Sequence, residues 1–159
     1  MARGVERFQA AAQAAGVAVE VRRFPEETRT AADAARAIGC VVGQIVKSLV
    51  FVGDGEAFLA LTSGANRADP ERLARALHLR EVRKAGPEEA REATGYAIGG
   101  TPPFGHVRRL RALVDRDLLG YGLLWAAAGA PDSVFPIRPA DLVEATGALV
   151  ADFKADVPS

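Results

Sequence analysis

The stretch that decides the fold is residues 45–62, Ile-Val-Lys-Ser-Leu-Val-Phe-Val-Gly-Asp-Gly-Glu-Ala-Phe-Leu-Ala-Leu-Thr. Its first half is rich in β-branched residues and its second half is another apolar run, and both patterns are typical of strands. Gly53-Asp54-Gly55 between them is a tight-turn sequence. The stretch therefore predicts a hairpin of two strands, Ile45–Val52 and Ala57–Thr62.

Around this hairpin, helical and strand patterns are mixed without a strict βαβ rhythm. Capping signals such as Asp69-Pro70-Glu71 mark helix starts, and glycines such as Gly16 and Gly95 mark helix ends. The mixture predicts one α+β domain with a mixed sheet over residues 1–159. The predicted helices are Val5–Ala15, Thr30–Ala37, one opening at Asp69, Pro87–Thr94 and Pro139–Ala145. The further predicted strands are Val17–Phe24, Glu81–Arg83, Leu110–Val114, Leu123–Ala127, Val134–Ile137 and Leu149–Phe153.

The charge balance excludes a broadly basic nucleic-acid coat. Lys plus Arg is 20 and Asp plus Glu is 20, so the chain has no surplus of cations to neutralise phosphates. With 49% hydrophobic residues, the 159-residue chain can bury a real core and is not intrinsically disordered. Only three of the 20 cations are lysines, Lys47, Lys84 and Lys154, and the other 17 are arginines.

The cysteine count and the hydropathy pattern indicate the compartment. Cys40 is the single cysteine, so a disulfide-stapled secreted module is excluded. Residues 1–17 have no continuous apolar core of signal-peptide type, and no stretch approaches the roughly 18 apolar residues of a membrane span. We therefore expect a cytoplasmic protein with no membrane partner, as a monomer or a small homo-oligomer.

Lys47 stands in an apolar strand, between Ile45 and Leu49 on the same predicted face. Because this protein otherwise uses arginine almost everywhere, a lysine here indicates a task for a compact ammonium whose pKa burial can lower. That interpretation places Lys47 partly desolvated or at the mouth of a cleft. The alternative is an edge position from which the amine reaches water.

The second candidate site is the segment Gly99-Gly-Thr-Pro-Pro-Phe-Gly105, which His106 follows. Adjacent glycines permit close backbone approach to a ligand, and the two prolines stiffen the chain after them. Such a loop suits binding of a sugar, phosphate or carbonyl through main-chain groups. The alternatives are a structural turn, and for His106 a surface histidine rather than an acid or base.

The remaining candidates are weaker. Ser63 and Arg67 leave the hairpin together and could face one cleft, or Asn66 could simply end the turn. Two separated histidines and one cysteine predict no metal site, and no cofactor is expected. An arginine rim beside the Gly/Pro loop is a further possibility, with solvated ion-paired faces as the alternative; its members would be Arg22, Arg23, Arg29, Arg108, Arg109 and Arg111.

Three ordered blocks resemble the YbaK/prolyl-tRNA synthetase-associated editing domain. They are Gly43-Gln-Ile-Val-Lys-Ser-Leu-Val-Phe51, Leu61-Thr-Ser-Gly-Ala-Asn66 with Asp69, and Gly95-Tyr-Ala-Ile-Gly-Gly-Thr-Pro-Pro-Phe-Gly-His106. The resemblance covers the chain from about Val17 to Val150. It implies a mostly antiparallel, strongly curved mixed sheet surrounded by helices.

The resemblance also implies a free-standing hydrolase that deacylates mischarged aminoacyl-tRNA, with an aminoacyl-tRNA synthetase as a second expected partner. Lys47 would hold the tRNA 3′ end, and main-chain groups around Gly100 and Thr101 would polarise the ester carbonyl and position the attacking group. Attack would be substrate-assisted, through the terminal ribose hydroxyl or a thiol of the amino acid. The implied substrate-binding residues are Thr28, Ser63, Gly99, Pro102, Pro103, Phe104, Gly105 and His106.

The chain departs from some members of this family near the implied pocket. Some have serine where Pro102 or Pro103 stands, and some have an acidic residue near Val134, so the sequence does not name the amino acid. Two alternatives stay open. One is a binding module of the same fold that holds a tRNA end, a nucleotide or a synthetase without chemistry, and the other is a hydrolase of simple esters.

Overall fold

The central hairpin forms as its sequence predicts. In this computed structural model, which describes residues 2–24 and 30–156, β2 (Ile45–Gly53) pairs antiparallel with β3 (Glu56–Ser63) over eight residue pairs. Asp54 and Gly55 make the turn with φ of +49° and +88°. Positive φ at both central residues matches the right-handed twist of the flanking strands, so the turn sets the register of the pair.

The hairpin lies at the centre of one eight-stranded sheet in the order β1-β7-β6-β2-β3-β5-β8, with β4 also paired to β2. Four strand pairs are antiparallel and three (β2–β6, β3–β5 and β5–β8) are parallel. This confirms the expected α+β fold with a mixed, mainly antiparallel sheet. The other strands are β1 (Arg22–Arg23), β4 (Val82–Lys84), β5 (Arg111–Asp115), β6 (Leu124–Ala127), β7 (Ser133–Ile137) and β8 (Leu149–Ala151).

Five helices surround the sheet within the described residues, and side-chain caps begin two of them. Thr30 Oγ1 accepts from Asp33 N–H at the start of α2, and an Asp69 carboxylate oxygen accepts from Glu71 N–H at the start of α3. The helices are α1 (Ala2–Ala14), α2 (Ala31–Ile38), α3 (Pro70–Leu77), α4 (Pro87–Thr94) and α5 (Pro139–Thr146). None of them is both long and apolar enough to cross a bilayer.

The two faces of the sheet bury separate cores, because side chains alternate along each strand. One core is built around Phe8 of α1, Phe104 and Phe135, with ring centroids 4.9–6.0 Å apart. The other packs Phe51 and Phe58 under α3. The central strands are therefore covered by a core on both faces. β2 also has β3 along one edge, and only part of its other edge lacks a neighbouring strand.

The predicted strand Val17–Phe24 is wrong over most of its length. Only Arg22 and Arg23 pair with another strand, opposite Ser133 and Val134 of β7. Val17, Val19 and Val21 still pack against the Phe8 core. The alternating valines thus predict correctly which side chains of this segment are half-buried. They do not predict a strand, because alternation alone does not supply a hydrogen-bonding partner.

Candidate active site

The sheet is interrupted beside β2. β6 pairs with β2 only at Ile45 and Val46, and β4 pairs with it only from Phe51 to Gly53. Between these two partners, residues 47–49 of β2 keep β3 as a neighbour on one edge, while the other edge faces a gap. Ala85 N–H donates to Val50 O over 3.0 Å at the border of this gap.

A cleft of about 610 Å³ opens at the gap. Its walls come from α2, β2, β6, β7, the start of α4 and the segment after α4, and they consist mostly of small apolar side chains. The polar side chains that line it are Thr30, Lys47, Ser48, Lys84, Thr101 and Ser133. Among the described lining residues there is no carboxylate, histidine, cysteine or arginine.

The Lys47 side chain lines this cleft and is half-buried. Its Nζ donates to the main-chain oxygen of Asn66 over 2.6 Å. Burial lowers the pKa of Lys47 below its ordinary value, and the nearby cations Lys84 and Arg67 lower it further, whereas Asp115 opposes the shift. The ammonium is therefore fixed at one wall of the cleft and partly stripped of water.

A network around Asp115 fixes the turn that holds Lys47. Asp115 is 1% exposed, and one of its carboxylate oxygens accepts from Ser63 N–H over 3.0 Å and from the Asn66 side-chain amide over 2.9 Å. Asn66 also donates to Asp117, which binds Lys154. Because Asn66 cannot shift without breaking these bonds, the oxygen that accepts from Lys47 has a defined position.

The segment Gly99–Thr101 contributes to the wall of the same cleft. Gly99 has a φ of +89°, a conformation that favours glycine. A Cβ at Gly100 would lie 2.7 Å from Ala130 Cα, so glycine is needed there for close backbone packing. Thr101 Oγ1 donates to Ala97 O over 3.2 Å. Gly99 and Thr101 line the cleft, and Gly100 is buried between them.

The second half of the Gly/Pro segment lies elsewhere. Pro103, Phe104, Gly105 and His106 line a separate cavity of about 200 Å³, together with residues of α1 and α5. Pro102 is buried, and its carbonyl oxygen lies 2.7 Å from His106 Nε2. Burial lowers the pKa of His106, and the contact with Pro102 partly opposes that shift. The structure does not bring these residues to the Lys47 cleft, and their role in binding substrate remains a prediction.

The family match agrees with the geometry of the cleft. The profile of the aminoacyl-tRNA editing domain matches residues 25–145, which include both Lys47 and the Gly99–Thr101 wall. The chain belongs to the aminoacyl-tRNA editing domain family. This confirms the resemblance that the three sequence blocks indicate.

Relatives of this editing domain occur as free-standing chains and inside a larger enzyme. A crystal structure described as "a putative trans-editing enzyme for prolyl tRNA synthetase" is 48% identical, with a TM-score of 0.93 over 98% of this chain and 99% of that one. The uncharacterised protein YwhH of Bacillus subtilis is 28% identical over 79% of this chain and 80% of its own. Proline–tRNA ligase of Acidithiobacillus ferrooxidans is 32% identical over 65% of this chain, but the match spans only 18% of the ligase.

Several predicted site residues of this editing domain have other positions. Ser63 is buried outside the cleft and donates from Oγ to Gly43 O over 2.8 Å, while the next residue, Gly64, lines the cleft. Thr28 lies outside the described residues. Of the predicted arginine rim, Arg22 lies over the ring of Trp125, a cleft residue, at 4.9 Å, whereas Arg109 lines the smaller cavity and Arg29 is not described.

The structure brings two residues to the site that were not predicted from the sequence. Asp115 is 52 positions from Ser63, so only the β3–β5 pairing reveals that they meet. Ser48 follows Lys47 directly and lines the same cleft. The available signal was the polar pair Lys47-Ser48 inside an otherwise apolar strand, since a buried strand rarely carries two consecutive polar residues.

Proposed function

We propose that this editing domain is a trans-acting deacylase that hydrolyses the ester joining a wrong amino acid to the 3′ terminal adenosine of a tRNA. The observation that carries the proposal is the half-buried Lys47 ammonium, held at the wall of a cleft that Gly99 and Thr101 also line. The cleft volume of about 610 Å³ lies within the range of about 300–1,000 Å³ that is usual for small-ligand sites.

Lys47 would bind the phosphate or ribose of the 3′ end, because a compact ammonium with reduced hydration suits an anionic or hydroxylated ligand. Main-chain groups around Gly100 and Thr101 would polarise the ester carbonyl and stabilise the charge that develops on its oxygen. The small apolar walls would receive a small amino-acid side chain. A terminal ribose hydroxyl would orient the attacking water, which adds to the carbonyl carbon, and the ester oxygen leaves with a proton.

A second candidate function is binding of the tRNA end without hydrolysis. The observation that favours it is the lack of any carboxylate, histidine or cysteine among the described residues that line the cleft. Without such a group the described part of the lining supplies no carboxylate, histidine or thiolate base, and turnover would depend on the substrate's hydroxyl.

One experiment separates the two candidates. Wild type, Lys47→Ala and the charge-matched surface control Arg80→Ala are compared on tRNAs misacylated with alanine, serine, threonine or cysteine. We expect turnover on at least one substrate, a loss of about 100-fold or more in Lys47→Ala because a charged contact in a desolvated site is removed, and no loss in Arg80→Ala. Salt-sensitive binding of the panel without turnover would establish the second candidate, and undiminished turnover in Lys47→Ala would exclude Lys47 from the reaction.

A further inference from the structure

Ser48 carries the one buried side-chain oxygen or nitrogen, among the described residues, that has no hydrogen-bond partner. Other buried hydroxyls are bonded, for example Thr62 to Ala60 O, Thr94 to Ala90 O and Thr146 to Leu142 O. An unpaired buried hydroxyl loses its hydrogen bonds to water without replacing them, so native proteins rarely keep one without a function. Ser48 lines the cleft, but its hydroxyl oxygen has almost no exposed surface, so a ligand in the cleft would reach it by a rotation of the Ser48 side chain toward the gap.

The main chain of Ser48 is also available at the gap. Gly64 N–H donates to Ile45 O over 2.7 Å, which shows that Ile45 directs its polar groups toward β3. Bonding alternates along an antiparallel pair, so Lys47 and Leu49 do the same, and Ser48 directs its N–H and C=O to the other edge. There the β6 pairing has already ended and the β4 pairing has not begun.

Lys47 and Ser48 point to opposite faces of β2 because side chains alternate along a strand. The Ser48 side chain shares its face with Val46 and Val50, which belong to the Phe8 core, and Ala90 of that core also lines the cleft. The cleft therefore has a cationic side, with Lys47 and Lys84, and a neutral side with the carbonyl and hydroxyl of Ser48. A cationic group of the ligand is repelled by the first side and finds acceptors on the second.

We propose that Ser48 binds the α-amino group of the aminoacyl ester, through its main-chain carbonyl and its hydroxyl, while Lys47 holds the nucleotide part. The inference rests on the proposed function, since it assigns the orientation of the same substrate in the same cleft. An amino group that leaves water for an apolar-walled cleft must find hydrogen-bond acceptors. Ser48 supplies them beside Val46, Val50 and Ala90, which line that side of the cleft with alkyl groups.

The test uses non-hydrolysable ligands so that binding is measured apart from turnover. The probes are 3′-deoxyadenosine carrying alanine through a 3′ amide, and the matched lactic acid amide, in which a hydroxyl replaces the amino group. We expect Ser48→Ala to weaken binding of the alanyl amide about tenfold and to leave binding of the lactyl amide within about twofold. Thr146→Val, which removes a bonded hydroxyl far from the cleft, should change neither affinity.

Thermal unfolding completes the test. Ser48→Ala removes an unpaired polar group, so its Tm should stay the same or rise, whereas Thr146→Val loses a made hydrogen bond and should unfold earlier. The proposal is overturned if Ser48→Ala loses equal affinity for both probes or keeps its affinity for the alanyl amide. It is also overturned if the Tm of Ser48→Ala clearly falls. If wild type binds the alanyl amide through Ser48 but hydrolyses no misacylated tRNA, the deacylase proposal fails and the Ser48 inference stands.

Discussion

At the scale of single residues, the cations that line the cleft are lysines, although arginine is the more common cation in this chain. Two of the three lysines, Lys47 and Lys84, line it, and none of the described arginines does. A guanidinium is planar and longer, whereas an ammonium can point three donors into a narrow space. The sequence could therefore identify Lys47 from composition and strand context. It could not identify Asp115, because the contact depends on the pairing of β3 with β5.

The charge of Asp115 should set the upper pH limit of activity. Lys47 must be protonated to bind an anion, and its pKa already lies below the ordinary lysine value because of burial, with Asp115 acting in the opposite direction. Asp115→Asn removes that support, so the pKa of Lys47 falls further. We expect the alkaline limb of the kcat/KM profile to move to lower pH, after correction for spontaneous ester hydrolysis.

Asp117→Asn is the matched control for this prediction. Asp117 also accepts from the Asn66 side chain, yet its charge is not among those that shift the pKa of Lys47. The alkaline limb of the kcat/KM profile of Asp117→Asn should lie at the same pH as that of wild type. If both variants move the limb equally, the turn geometry rather than the charge of Asp115 is responsible.

At the scale of elements, the hairpin and the helix ends were predictable because their signals are local. The Gly53–Gly55 turn, the Thr30 and Asp69 caps and the glycines after α2 and α4 each fix a boundary within a few residues. The Val17–Phe24 strand and the division of the Gly99–His106 segment were not predictable in this way. Both depend on which distant element lies alongside, and a local pattern carries no such information.

The buried half of that segment should make stability depend on pH. Burial lowers the pKa of His106 below 6.5, so the unfolded chain binds a proton more readily than the folded one. The contribution of a neutral His106 to stability is fully present above pH 6.5 and is lost as the pH falls below it toward the folded-state pKa. We expect His106→Gln, which keeps a donor for Pro102 O, to show a smaller fall in Tm between pH 7 and pH 5.

The exposed His78 provides the control. It ends α3 with a φ of +57°, a conformation that asparagine tolerates well. His78→Asn should retain the wild-type dependence of Tm on pH. A profile for His106→Gln that parallels wild type would show that other groups account for the loss of stability in acid.

At the scale of the whole molecule, neutrality limits how the protein binds nucleic acid. Among the described residues, the cations near the site are the two lysines in the cleft, Arg22 beside Trp125 and Arg67 near Lys47. Two or three phosphate contacts with a single strand give a slope of about −2 or shallower for log K against log salt concentration. We expect that slope for a tRNA, with a decrease in magnitude of about 0.7 in Lys84→Ala and no change in Arg80→Ala. A much steeper slope would require a wider binding surface than the cleft.

The interrupted edge of β2 has one more consequence. An unpaired strand edge is a template on which a second chain can add, and proteins usually protect theirs with charges, bulges or short length. Here β4 and β6 flank an unpaired edge of only three residues, 47–49, and this edge lines a cleft. An incoming strand would have to break both neighbouring pairs before it formed a bond. The protein thus keeps main-chain donors and acceptors available to a small ligand while denying them to the self-association that leads to aggregates.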